Sequence, residues 1–183
     1  MTWLGAVPTL PGEHGAAHVD ALLLAAFDGV ATDFVCTHID RLGPVAVTTL
    51  SAHVTGEVDV DRLSAALGGP VVVLDSPDPD SPGSPAARAA KAARDRAEGR
   101  CIRFPGQSAL TGTHPVAEVV AGSAIDRVVG IGVPVSPTDR VETLGFLRPV
   151  CQDGELVLLV EPAVGGVLRP TEAENPHECC GGH

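Results

Sequence analysis

Residues 59–74 read DVDRLSAALGGPVVVL, and this stretch sets the class of fold. Asp59 is placed to cap a helix, because a short carboxylate at that position satisfies an orphan backbone N–H of the first turn. Val60, Leu63 and Leu67 recur at helical spacing as one apolar stripe. Gly68 and Gly69 then end the helix, since glycine accepts the left-handed backbone of a C-terminal cap. Val71 to Leu74 follows as an unbroken apolar run, the pattern of a short strand buried on both faces. A helix followed at once by a buried strand points to a mixed α and β chain.

Toward the N-terminus, residues 44–54 are rich in Val and Thr and pair naturally with the alternating strand Thr32 to Ile39, across an Asp40-Arg41-Leu42-Gly43 turn. Residues 16–27 predict a helix that is apolar almost all round, after an extended start over 1–13. Toward the C-terminus, Ser76 to Ser84 is an acidic, proline-rich loop. Ser84 and Pro85 open a second clear helix, predicted to run to Glu98 and stop at Gly99. Cys101 to Phe104 is a short strand, a helix is expected from Thr113 or His114 to about Ala121, and Arg127 to Val133 is another buried strand. From Val141 onward everything reads as strand. Val141 to Val150 is expected to pair with Glu155 to Glu161 across Gln152-Asp153-Gly154, with a third strand over Gly166 to Arg169.

This order predicts an α/β or α+β fold: a single domain with a mixed sheet of roughly five to eight strands. Parallel crossovers are expected in the middle, over residues 70–133, and antiparallel hairpins at both ends. Residues 1–170 are assigned to the globular domain, and 171–183 to a flexible Cys/His-rich metal-binding tail.

Composition narrows the function. At 183 residues the chain can fill one core. It carries one Trp, four Phe and no Tyr, so stacking platforms for bases are few. The net charge of -11 repels a phosphate backbone and favours cations, so nucleic-acid binding is not expected. Five cysteines and no positively charged leader pattern predict reduced thiols in the cytoplasm. The longest apolar run, Ala21 to Phe27, is too short to span a bilayer, so no membrane partner is expected. A protein partner or a homo-oligomer stays open. There is no dinucleotide fingerprint around Gly130 and Gly132, no P-loop, no nucleophile elbow and no zinc-protease helix.

The densest chemistry lies at the C-terminus, where His177, Cys179, Cys180 and His183 fall within seven residues. Thiolate and imidazole together suit a transition metal: Zn first, with Ni or Cu as alternatives. Adjacent thiols bond to each other poorly but can turn to one soft ion. Cys179 to His183 resembles the Cys-Cys-Gly-Gly-His blocks in the tails of SlyD-type nickel-handling proteins. Four ligands on so short a strip are cramped for a tetrahedron, so the folded body is expected to add ligands. Cys151 is the first candidate, as an accessible thiol at a hairpin tip. His14 and His18, four residues apart, are the second, either gripping one ion from a helical turn or simply exposed.

Three weaker candidates remain. Cys36 and His38 share one strand face, where they read either as a Cys–His pair or as a buried thiol beside a hydrogen-bonded imidazole. His114 follows a Thr-Gly-Thr loop and is placed either for acid–base work or for capping. Arg88, Lys91 and Arg94 form a basic helical face, available to an anionic ligand or to the acidic tail, or simply solvated. The expected function is therefore a cytosolic metal-binding protein of trafficking or storage type. The alternatives are a lyase or hydrolase with a site near Cys36, His38 and His114, and an accessory subunit that binds a ligand or partner without chemistry.

Overall fold

Asp59 caps the helix α2 (Val60–Leu67) as its sequence predicts: the carboxylate accepts the Arg62 N–H at 2.9 Å. Gly68 closes the helix with a left-handed φ of 64°. Ser84 caps α3 (Pro85–Arg94) in the same way, accepting the Ala87 N–H at 3.1 Å. These contacts come from a computed structural model that describes residues 1–10, 16–74 and 83–174.

The described residues form one α+β domain with four helices and an eleven-stranded mixed sheet. The first half holds β1 (Thr2–Ala6), α1 (Ala16–Ala26), β2 (Thr32–Asp40), β3 (Val47–Val54), α2, β4 (Val71–Val73), α3 and β5 (Arg100–Arg103). The second holds β6 (Thr113–Pro115), α4 (Val116–Ala121), β7 (Arg127–Gly130), β8 (Arg140–Glu142), β9 (Val150–Gln152), β10 (Glu155–Pro162) and β11 (Leu168–Pro170). Strand order is β4-β1-β3-β2-β5-β9-β10-β11-β8-β6, and β7 also pairs with β10.

Most neighbours are antiparallel, including the expected hairpins β2/β3 and β9/β10. The parallel pairs are β7 with β10 and β8 with β11. Four successive antiparallel pairings separate β4 from β5, so these two strands run the same way. The β4–α3–β5 connection is thus a parallel crossover, but it passes over three intervening strands. Two further antiparallel pairings and one parallel pairing give β5 and β7 the same direction as well.

Side-chain alternation splits the core into two layers. Leu4, Ala6, Val35, Leu50 and Ala52 face Leu23 and Phe27 of α1 and Leu63 and Leu67 of α2. The opposite face carries Gly5, Phe34, Cys36 and His38, and α3 lies across it. The approach is close: a Cβ on Gly5 would sit 1.8 Å from the Ala86 carbonyl oxygen. Ala86, Ala90 and Ala93 on the helix are buried, so small residues on both sides let backbone meet backbone.

Several expectations are corrected. Val71 to Val73 is half-buried, because β4 forms one end of the strand order. The helix from Ser84 stops at Arg94, and Arg96 turns left-handed with φ 48°. Thr113 to Pro115 is a strand, since Pro115 holds an extended ψ of 145°, and α4 starts only at Val116. The run 141–150 is not one strand: Leu144 and Gly145 both take positive φ, 55° and 69°, and divert the chain between β8 and β9. Such short strands raise the count above the expected range. Among the described residues, no helix is long and apolar enough to cross a membrane.

Candidate functional site

His38 ends the inward-facing series of β2, and its side chain is only 2% exposed. Its Nε2 lies 2.8 Å from Ser51 Oγ on β3. Its Nδ1 is buried and has no hydrogen-bond partner among the described residues, and the same holds for Oγ1 of Thr49, the residue opposite it on β3. The nearest acidic group to Nδ1 is Glu98 Oε1 at 4.0 Å. The Gly99 backbone packs against that side of the ring, where no larger residue fits: a Cβ there would lie 2.6 Å from His38 Cε1 and 3.1 Å from Nδ1. Burial lowers the His38 pKa from 6.5 to about 4. The imidazole is therefore neutral at pH 7.

That pKa gives a test of the burial. The unfolded chain protonates His38 below about pH 6.5, whereas the folded chain resists until about pH 4. Stability linked to His38 is thus complete above the unfolded value and is lost as pH falls through this window. The loss should be on the order of 3 kcal/mol. Urea unfolding from pH 7 to pH 4 should show this slope, and His38→Gln should flatten it. An equal slope in both proteins would contradict a buried neutral imidazole.

His38, Glu98 and Gly99 line a cavity of about 450 Å³ that is also bounded by Val19 and Asp20 of α1 and by Arg100 of β5. Asp20 is 2% exposed. Its Oδ1 accepts from Arg100 Nη1 at 2.7 Å, and its Oδ2 accepts from Arg100 Nη2 at 2.9 Å and Arg148 Nε at 2.6 Å. The other edge of Arg100 meets Glu172, with Nε 2.8 Å from both carboxylate oxygens. Burial alone would lower the Arg100 pKa, but the hydrogen bonds to Glu172 and Asp20 outweigh it and hold the guanidinium charged. This cluster ties α1, β5, the loop before β9 and the C-terminal segment to one wall.

The other sequence candidates fall as follows. Cys151 is not an accessible hairpin-tip thiol. Gln152 pairs with Glu155, which puts Cys151 and Leu156 on the inward side, and Cys151 is 5% exposed. The tip itself is Asp153-Gly154, both with positive φ. Cys151 joins Cys36 and Cys101 in a buried group of free thiols. Burial, then hydrogen bonds with Cys101 and Cys151, push the Cys36 thiol well up. The hydrogen bond with Cys36 lowers Cys151, with help from Arg96. Cys36 is thus the reverse of an activated nucleophile, and His38 bonds to Ser51 instead of to it. His114 lies on β6 at the far end of the strand order, its Nε2 2.8 Å from the Thr111 carbonyl, and is not among the residues lining the His38 cavity. The basic face is committed to acids: Arg88 to Asp40 at 2.7 Å, and Lys91 and Arg94 to Asp95 at 2.5 and 3.1 Å.

His18 lies on α1 and is exposed. His14, His177, Cys179, Cys180 and His183, together with the acidic loop residues 75–82, lie outside the described residues. Among the described residues, no group of three or more His, Cys, Asp or Glu side chains is arranged to hold a metal ion. The site residues that sequence reasoning missed are Asp20, Ser51, Glu98 and Arg148. Of these only Asp20 left a signal, as a lone acid beside an apolar helical run. No family model, no curated protein and no solved structure matches this chain.

Proposed function

We propose that this chain is a transition-metal-binding protein of trafficking or storage type, which takes up its ion between the C-terminal Cys/His segment and the His38 side of the cavity. The observation that supports this best is the Glu172–Arg100 contact, which anchors the C-terminal segment on the wall of the cavity that His38 lines. Cys179 is seven residues beyond Glu172, an extended reach of roughly 23 Å. His38 and Glu98 can supply two ligands at most. With His38 as the one body ligand, Cys179 and Cys180 and either His177 or His183 complete a four-ligand set of mixed nitrogen and sulfur. That set favours Zn, accepts Ni, and suits Cu(I) if the two thiolates dominate. A neutral imidazole keeps its lone pair without competing with a proton, and the -11 charge draws cations toward the protein. A reducing cytoplasm completes the proposal by keeping the thiols free.

The test is a Co(II) titration of reduced, intact protein. It should saturate at about one ion per chain and develop a thiolate-to-metal charge-transfer band. His38→Gln keeps the Nε2-like contact to Ser51 and deletes Nδ1. It should weaken binding by about tenfold, or 1.4 kcal/mol, and leave the band intact. No band would remove the thiolates from the site, and an unchanged affinity in His38→Gln would remove the body.

A further inference from the structure

We infer that the same cavity also receives a small amphipathic carboxylate, with its apolar body inside and its carboxylate on Arg41. A cavity of about 450 Å³ is far larger than one coordinated ion needs and falls in the range of small-molecule sites. Leu10, Val19, Ile39 and Val150 give it a mainly apolar lining. Its charged groups are unequally available. Asp20 and Arg100 are saturated by each other, by Arg148 and by Glu172, so a ligand gains nothing from them without breaking a buried network. Glu98 stands beside the His38 ring.

Arg41 remains. It lines the cavity, is exposed, and forms no hydrogen bond or ion pair with any described residue. A guanidinium in that position recognises a carboxylate by two parallel hydrogen bonds. Ile39, which lines the same cavity, is 46% exposed, and Leu42, the next residue along the chain from Arg41, is 80% exposed. An exposed apolar side chain, Ile39, and a cation unpaired among the described residues, Arg41, on one mainly apolar cavity match a ligand that is greasy along its length and anionic at one end. The inference shares the cavity with the proposed metal site but needs no metal.

The experiment uses full-length protein with a chelator present, and calorimetric titration with octanoate and, separately, octanol as its neutral counterpart. Octanoate should bind at one site, about tenfold more tightly than octanol. Arg41→Ala should bring octanoate down to the octanol value. Ile39→Trp, at an exposed position that tolerates a larger side chain, should block both at the mouth. Equal binding of the two probes, with Arg41→Ala silent, would overturn the carboxylate assignment while keeping an apolar site. Unchanged binding in Ile39→Trp, or no binding by either probe, would overturn the site itself. The Co(II) titration is independent of all these outcomes.

Discussion

Replacing Cys179 and Cys180 together by Ala is expected to abolish stoichiometric Co(II) uptake, lowering affinity by much more than tenfold. The thiolates are the softest donors in the proposed set and carry the charge that holds the ion. Binding requires them deprotonated, so uptake by the intact protein should also weaken as pH falls below neutral. Below pH 7 the loss should come from the thiols and not from His38, whose own protonation is displaced to about pH 4. Cys151→Ala is the internal control. Its thiol faces the core beside Cys36 and Cys101, so the metal titration should not change. A large effect from Cys151→Ala with none from the tail variant would reverse the assignment.

Asp20→Ala is expected to give the largest loss of stability in the chain. The carboxylate is buried and accepts three hydrogen bonds from two guanidinium groups. Removing it strands Arg148, whose side chain is 8% exposed, without its acidic partner. Breaking one side of a buried ion pair costs about 3–5 kcal/mol. Arg100, 22% exposed and still held by Glu172, should suffer less. Equilibrium urea unfolding would measure the change. A loss near zero would mean that water already screens the cluster.

Elements set by local chemistry were legible in the sequence. Asp59 with Gly68 and Ser84 with Pro85 each bracket a helix through contacts spanning only a few residues. The Asp153-Gly154 turn was readable for the same reason, because both residues accept positive φ. Its consequence for Cys151 was not readable. Nearness to a turn suggested exposure, but strand register decides the side, and Gln152 opposite Glu155 fixes Cys151 inward. The candidate site was legible only at His38. Its partner Ser51 lies 13 residues away on the next strand, and the Asp20–Arg100 and Asp20–Arg148 contacts join residues 80 and 128 apart. Contacts at that separation leave no spacing pattern. The close approach of backbone to the His38 ring depends on Gly99, which the sequence presents only as a helix stop.

The central claim is that folded body and C-terminal segment hold the ion together. Its most direct test is a competition titration against one chromophoric chelator, comparing intact reduced protein with a synthetic peptide of residues 170–183. If His38 and the anchored segment form part of the site, intact protein should bind at least tenfold more tightly, because it does not order all its ligands at the moment of binding. Equal affinities would contradict the claim and would reduce the site to the terminal Cys/His strip alone.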